Sequence, residues 1–416
     1  MVHKVPKILD SIRKRNMYDL FATNKDLYKL VCNKELLAFA YHSMQSKSAS
    51  IHNPIEKFSS HPIFDQTIEE ISDELRSQKW KFKRVKKEPM SKSNCFYGIP
   101  SFKDQIVQKA ILLIIKSIYE PGFLKHTHGF KQDPNQHTAL KEIQSYWSGM
   151  KFAIEGEMDS CNINHHILIT TLRRKIKDEK FIQLIWKLNK TGLNFHDKKL
   201  RSEGRDLRPI LIHIYLNNFH HFVEKISKAY STNRNSKHIS IGYIRYQEKW
   251  IIGINGPRKL VVKLKRLIEL YLKVFLKLRL YEGKLKMNPF STTKIVFLDF
   301  RIQILANSGT EWNDLMQTKL YMPMDKILRK LKDNHFCTTE GRGVGKKGWL
   351  SYSDKRVIIK YNYLLKSLRY YYSPADNYQT SFHRIQNIIL YSCAHTLAKK
   401  HKSKISLQMA NLRETI

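Results

Sequence analysis

Apolar positions recur at two periods along this chain, and the switching between them sets the expected elements. Residues 17–45 carry Leu27, Leu30 and Val31, then Leu36, Leu37, Phe39 and Ala40, at helical spacing. A polar break at 46–62 separates them from a second helical stretch at 63–75. Trp80, Phe82 and Val85 then alternate with Lys81, Lys83, Arg84 and Lys86, the period of a half-buried strand with a basic outer edge. The most regular segment opens at Ser101, an expected N-cap with Asp104 three residues on. Ile106, Val107, Ala110, Ile111, Ile114, Ile115 and Ile118 mark its buried face, and Pro121 stops it.

Further along, 151–158 is expected to be a strand and 167–188 a helix. Residues 242–254 form two apolar runs flanking Gln247-Glu248-Lys249, which predicts a hairpin, and 260–280 is a strongly basic amphipathic helix. A strand follows at 294–305. Beyond about Asn307 the pattern turns helical, with helices at 355–373 and 380–401 and a Gly/Lys/Arg-rich loop at 338–348. Strands and long helices mixed in this order predict an α+β class, with a boundary near residue 310. No repeat of solenoid period is visible.

Charge changes the picture more than composition does. Lys and Arg number 74 against 36 acids, a formal net charge of +38. A compact chain of that charge repels itself unless a polyanion binds it. Nucleic acid is favoured, because each neutralised phosphate also releases counterions. An anionic membrane is the competing polyanion, but the longest apolar run, 110–115, is far too short to span a bilayer, so surface attachment is the only membrane option. Cys32, Cys95, Cys161, Cys337 and Cys393 lie far apart without a CxxC pair, so they read as buried small hydrophobes in a reducing compartment rather than a zinc site. The basic N-terminus has no apolar signal core, and a protein made where it works is expected.

Several stretches resemble the group II intron-encoded reverse transcriptase/maturase family. Gly98-Ile99-Pro100-Ser101-Phe102 through Gln108 is similar to its fingers motif, and Tyr119-Glu120-Pro121, His128-Gly129-Phe130-Lys131 and His137-Thr138-Ala139-Leu140 to its next block. Ile154-Glu155-Gly156 and Asn162-Ile163-Asn164-His165 flank a first catalytic strand, and Tyr243-Ile244-Arg245-Tyr246 leads into the family's YADD hairpin. Tyr361-Asn362, Arg369-Tyr370-Tyr371, Ser392, 394–397 and Lys399-Lys400-His401 resemble the maturase thumb, domain X. The resemblance implies a right-hand fingers–palm scaffold followed by an α-helical thumb. An N-terminal extension and fingers would occupy 1–95, a fingers/palm domain 96–310 and the thumb 311–416.

The departures from that pattern carry the functional expectation. Where the family holds two metal ions with aspartates, this chain has Glu157, with Asp159 nearby, and at the YADD turn Gln247-Glu248-Lys249. Lengthening a ligand by one methylene displaces it by about an ångström, on the order of a hundredfold in rate. Lys249 removes a carboxylate and adds an ammonium, a repulsion of several kcal/mol toward a nearby divalent ion on the order of magnitude of screened Coulomb energies. Ser202-Glu203-Gly204 stands where the family has its Pro-Gln-Gly nucleotide turn. Polymerase activity is therefore expected to be lost, with Glu157, Asp159, Glu248 and Lys249 vestigial.

RNA binding would remain. Its candidates are Lys81, Lys83, Arg84, Lys86 and Lys87 at the fingers edge. In the thumb they are Arg342, Lys346, Lys347, Arg356, Lys360, Arg369, Tyr371, Arg384, Lys399, Lys400, His401, Lys402 and Lys404. The adjacent pairs His165-His166 and His220-His221 point to different helix faces and do not chelate together. No HNH-type Cys/His cluster follows the thumb, so no endonuclease is expected. The reading is a non-enzymatic maturase that stabilises a folded group II intron RNA. It would bind no cofactor itself, the Mg2+ being the RNA's own, and use no DNA-synthesis substrate and no membrane. An active reverse transcriptase and a scaffold of another organellar ribonucleoprotein are the alternatives. Resemblance and a Lys-, Ile- and Asn-rich composition lean to an organelle, plastid before mitochondrion; oligomeric state is left open.

Overall fold

The computed structural model describes residues 4–45, 62–83, 86–89, 96–123, 127–128, 136–158, 163–190, 200–201, 207–231, 239–278, 285–305 and 316–415. The chain opens with α1 (Lys4–Tyr18), α2 (Leu27–Val31), α3 (Lys34–Gln45) and α4 (Pro62–Arg76). The helical stretch expected over 17–45 is thus broken, and the helix before the break begins at Lys4. Asn24 explains the break. It is fully buried, its N–H donates to the Lys175 carbonyl (2.8 Å), and its carbonyl accepts from the Lys177 N–H (2.8 Å). Those backbone groups are spent on a distant turn and cannot continue a helix.

Two short strands follow, β1 (Lys86–Pro89) and β2 (Phe96–Ile99), paired antiparallel from Lys86 opposite Ile99. Trp80 and Phe82 are buried as their alternation predicts, but residues 79–83 are not a strand. The Lys83 N–H donates to the Asp104 carboxylate (3.1 Å), not to a neighbouring strand. Arg84 and Val85 fall outside the described residues. α5 (Phe102–Tyr119) starts as expected: Ser101 accepts from the Asp104 N–H (3.2 Å) and donates its hydroxyl to the Asp104 carboxylate (2.6 Å).

β3 (Thr127–His128), α6 (Gln136–Tyr146) and β4 (Phe152–Glu157) lead to α7 (His165–Arg173) and α8 (Glu179–Lys190). A single helix over 167–188 is therefore not what forms. Asp178 divides it, capping α8 by accepting from the Phe181 N–H (3.1 Å) while also accepting from the Tyr28 N–H (2.7 Å). β5 (Leu200–Arg201) pairs parallel with β2, and α9 (Leu207–Tyr230) precedes the hairpin β6 (Ser240–Tyr246) and β7 (Lys249–Asn255). α10 (Arg258–Leu270) buries Val261, Leu264 and Ile268 and ends in a π-helical turn, Tyr271–Phe275.

β8 (Lys286–Pro289), β9 (Ile295–Phe297), β10 (Phe300–Leu305) and β11 (Gln317–Tyr321) come next. The strand expected over 294–305 is two strands, turned at Leu298 and Asp299, both at positive φ (48° and 58°). β11 interrupts the expected helical run and pairs with β10 from Arg301 opposite Tyr321. The chain ends in α11 (Met324–Asp333), α12 (Asp354–Tyr372), α13 (Tyr378–His401) and α14 (Ile405–Thr415). The class is α+β, with a helical C-terminal region.

A five-stranded sheet of order β3-β6-β7-β4-β8 divides the interior. Ile154, Trp250, Ile252 and Ile254 face a core built with α5, α9 and the N-terminal helices. Ala153, Ile244 and Ile251 face a second core shared with α6, β9–β11, α12 and α13. Strand periodicity, with alternate residues on opposite faces, lets one sheet serve both. Among the described residues no helix is long and apolar enough to cross a membrane. Cys32, Cys337 and Cys393 are free and buried, and burial pushes the Cys32 thiol up to about 11. Cys95 and Cys161 fall outside the described residues.

Gly156 on β4 marks the tightest contact on the sheet. A Cβ there would lie 2.3 Å from the Trp250 indole. Gly156→Ala is expected to cost about 1–3 kcal/mol, the range for overpacking a core. Gly149→Ala, where a Cβ meets nothing within 4 Å, serves as the control. Thermal melting of both variants checks this: Gly156→Ala melts lower and Gly149→Ala does not.

Candidate nucleic-acid interface

The β6–β7 hairpin closes through Gln247, at φ 55°, and Glu248, with Tyr246 opposite Lys249. Lys249 is thus not in the turn but the first residue of β7. Beneath the turn Arg245 is fully buried. Its guanidinium donates to the Gln247 carbonyl (2.6 Å), to His220 Nε2 (2.7 Å) and to His213 Nδ1 (2.8 Å). Burial pushes its pKa down to about 10, which leaves it cationic at neutral pH. This buried cluster was missed in the sequence, although a lone arginine inside an apolar strand was a signal for it. His220 faces inward and its neighbour His221 outward, where His221 meets Asn217 (3.1 Å), as their adjacency predicts.

The hairpin brings three of the four vestigial positions together. Glu157 on β4 sits in register with Lys249, and the Glu248 carbonyl accepts from the Met158 N–H (3.0 Å). Asp159 and the stretch Ser202-Glu203-Gly204 lie outside the described residues. Glu157 and Lys249 open on a pocket of about 560 Å³ shared with Glu155, Lys286, Lys294, Asp299 and Lys326. Burial raises the Glu155 carboxyl against the pull of Lys286 and the Asn288 amide, which donates to it (3.0 Å). Burial also works to raise Asp299. Hydrogen bonds from Lys330 (2.6 Å) and Lys326 (3.0 Å) outweigh that and hold its carboxyl below the usual range.

A pair of divalent ions needs converging carboxylates. Here the register partner of Glu157 is an ammonium. Among the described residues no three His, Cys, Asp or Glu side chains are grouped to hold a metal. Among the described residues, then, the carboxylates at this turn do not converge as a two-metal centre needs.

In the C-terminal region the Gly-rich loop lies directly on the backbone of α13. A Cβ on Gly343 would meet the Ile388 carbonyl oxygen at 2.6 Å, so glycine alone allows that approach. The Ser392 hydroxyl donates to the Val344 carbonyl (2.7 Å), and the Lys346 N–H donates to the Thr396 hydroxyl (2.9 Å). Buried Tyr361 of α12 places its hydroxyl 2.9 Å from both the Ser392 and Thr396 hydroxyls. The loop is therefore fixed from beneath while its cations face outward.

The expected RNA-binding residues divide into two groups. Arg342, Lys347, Arg356, Arg369, Arg384, Lys399, Lys402 and Lys404 are exposed, as are Lys81 and Lys83. Lys86 and Lys87 are placed on β1, but their side chains, like Arg84, lie outside the described residues. Others are engaged within the protein. Lys346 donates to the Asn334 carbonyl (2.7 Å) and sits 4.0 Å from the Phe336 ring centre, and Lys360 is 5.2 Å from that of Trp349. Lys400 and His401 both reach Asp354, at 2.5 and 2.7 Å, tying the end of α13 to the start of α12.

Tyr371 is a packing residue: half-buried, it stacks on Phe300 and donates its hydroxyl to the Leu298 carbonyl (3.1 Å). Among the aromatics that do face solvent, α12 carries Tyr363 (75% exposed) and Tyr370 (61%). With Arg356, Ile359 and Lys366 they form one outward stripe of α12, spaced three to four residues apart, a periodicity open to sequence reading but not used there.

Comparison with known proteins agrees with these elements. Residues 316–411 match the Type II intron maturase family model. The group II intron-encoded protein LtrA of Lactococcus lactis subsp. cremoris is 25% identical over 98% of this chain and 80% of its own length. The uncharacterized mitochondrial protein ymf11 of Marchantia polymorpha is 24% identical over 72% of this chain, which spans 53% of that protein. Maturase K of Fagopyrum esculentum is 29% identical over 41% of this chain and 36% of its own length. Residues 316–411 thus resemble a Type II intron maturase domain, and the chain along most of its length is similar to a group II intron-encoded protein.

Tyr361→Phe removes the hydroxyl shared by Ser392 and Thr396 and is expected to cost about 1–3 kcal/mol, as for a buried polar group left short of a partner. Asp354 gives the pH dependence. The Lys400 hydrogen bond is the largest influence on it and holds its carboxyl below the usual carboxylate range. A carboxyl depressed in the folded state adds stability above its unfolded pKa and loses it as pH falls through the folded value. Acid alone should therefore loosen this clamp. Melting temperature against pH checks it: Asp354→Asn narrows the gap to the unsubstituted protein on the acid side and leaves it constant from neutral pH upward.

Proposed function

We propose that this protein is an RNA-binding maturase that assists splicing of a group II intron without copying nucleic acid. The observation that carries the reading is the maturase domain's outward face. There a rigidly seated loop and one stripe of α12 present Arg342, Lys347, Arg356, Lys366, Tyr363 and Tyr370 to solvent. Cations spaced along a rigid frame contact phosphates, and exposed tyrosines offer stacking surfaces to unpaired bases. The loss of polymerase chemistry is inferred from Lys249 opposite Glu157, where an ammonium opposes a divalent ion. The splicing chemistry would be that of the intron RNA and its own Mg2+. The protein would screen phosphate repulsion so that the RNA core closes.

The partner is thus intron RNA, with neither DNA substrate nor membrane. The place of action we propose is an organelle, in keeping with mitochondrial relatives, and the Lys-, Ile- and Asn-rich composition inclines us to a plastid.

Crosslinking in the native compartment, followed by sequencing of the bound RNA, is expected to recover intron sequence, and depletion of the protein should leave that intron unspliced. Recovery of ribosomal RNA with splicing intact would sink the reading. In vitro, Lys347→Ala and Arg356→Ala should each weaken RNA binding and lower the log–log salt slope by about one. Primer extension should yield no cDNA; robust synthesis would overturn the inference from Lys249.

A further inference from the structure

The pocket beside the hairpin turn is not explained by the maturase face. It lies where β7, β4 and β8 run side by side, with Glu157 in register with Lys249 and Glu155 with Lys286. The β9–β10 turn and the start of α11 form its other wall, contributing Lys294, Asp299 and Lys326. Its volume of about 560 Å³ falls among ligand-sized clefts, typically about 300–1,000 Å³.

Its charges are not all available to a ligand. Asp299 is held by Lys326 (3.0 Å) and Lys330 (2.6 Å). Lys249, Lys286 and Lys294 are exposed; Lys249 stands in register with Glu157, and Lys286 with Glu155, on whose carboxyl it pulls, so that the lysines outnumber the carboxylates left to them. A divalent cation entering the cleft would meet these three ammonium groups. An anion would meet the same groups as donors, each with three N–H bonds to give. Bases would find no platform, since the aromatic rings of the lining, Trp250 and Phe297, are buried at 0% and 4% exposure. What fits is a phosphate, recognised by charge and not by sequence.

We propose that this pocket binds a backbone phosphate of the partner RNA. The Lys249 ammonium takes the place that a divalent ion would hold between Glu157 and a phosphate oxygen, and Lys286 and Lys294 complete the contact. The inference rests on the RNA-binding reading above and adds to it a second contact, separate from the maturase face. A tethered monocation needs no metal, so the contact is independent of Mg2+ while remaining sensitive to salt.

Lysine acetylation footprinting of the full chain with and without poly(U), read residue by residue by peptide mass spectrometry, tests it. Lys249, Lys286 and Lys294 are expected to lose reactivity when RNA is bound, equally in EDTA and in Mg2+. Lys249→Gln should weaken poly(U) binding several-fold with an unchanged melting temperature and lower the salt slope by about one, while Lys249→Arg retains binding. If Lys347, Lys399 and Lys402 are protected while the pocket lysines stay reactive, the phosphate site is wrong and RNA binding stands. If neither set is protected, the RNA-binding reading itself fails. Protection that requires Mg2+ would mean that the pocket works through a metal, and would overturn the proposal.

Discussion

The β6–β7–β4 pairing is the constraint on which the rest of the molecule depends. Its register, Gly156 opposite Trp250 and Glu157 opposite Lys249, decides which residues face the N-terminal core and which the C-terminal one. A slip of one residue would turn Trp250 and Ile252 out of one core and drive Ile251 from the other. The same register sets the turn and aims Glu157 and Lys249 into the pocket. Core stability and site geometry are therefore one property. The Lys249 side chain itself stands exposed at the strand's first position, outside both cores.

Arg245 supports the turn from below. Taking a guanidinium out of water carries a penalty of several kcal/mol as an order of magnitude, and here its donors go to two imidazoles and the Gln247 carbonyl, with Glu248 acting at longer range. Three of its five N–H donors are answered in this way, and these bonds fix the path of the turn. These contacts give the hairpin tip a defined shape.

Much of this was legible in the sequence because periodicity reports burial directly. The α5 face, the Ser101–Asp104 cap, the β6–β7 hairpin and the α12–α13 pair all follow from spacing and capping chemistry. The misses share a cause. The break at Asn24, the division at Asp178 and the irregular course of 79–83 are each set by a hydrogen bond to a residue far along the chain. No local window contains that partner. Tyr371, expected to contact RNA, packs inward for the same reason: its hydroxyl reaches Leu298, 73 positions away in sequence. At the β6–β7 hairpin, residue types in the sequence carried only the expectation of lost metal chemistry. Only the register put the ammonium opposite the carboxylate.

The excess charge then separates what holds the fold from what meets a partner. The ion pairs formed within the chain are mostly between exposed groups, such as Lys34 with Glu69 and Lys103 with Glu70. Pairs of that kind contribute about 0–1 kcal/mol each, too little to offset the self-repulsion of a chain at +38. Stability must come from the two apolar cores and from buried networks such as Tyr361 with Ser392 and Thr396. The cations those networks hold outward add repulsion to the free protein and relieve it only when a polyanion is near. On the proposed function, binding and folding would be coupled through charge, since a ligand that binds only the folded state stabilises it by mass action. Self-repulsion in the free state is thus the counterpart of affinity in the bound one.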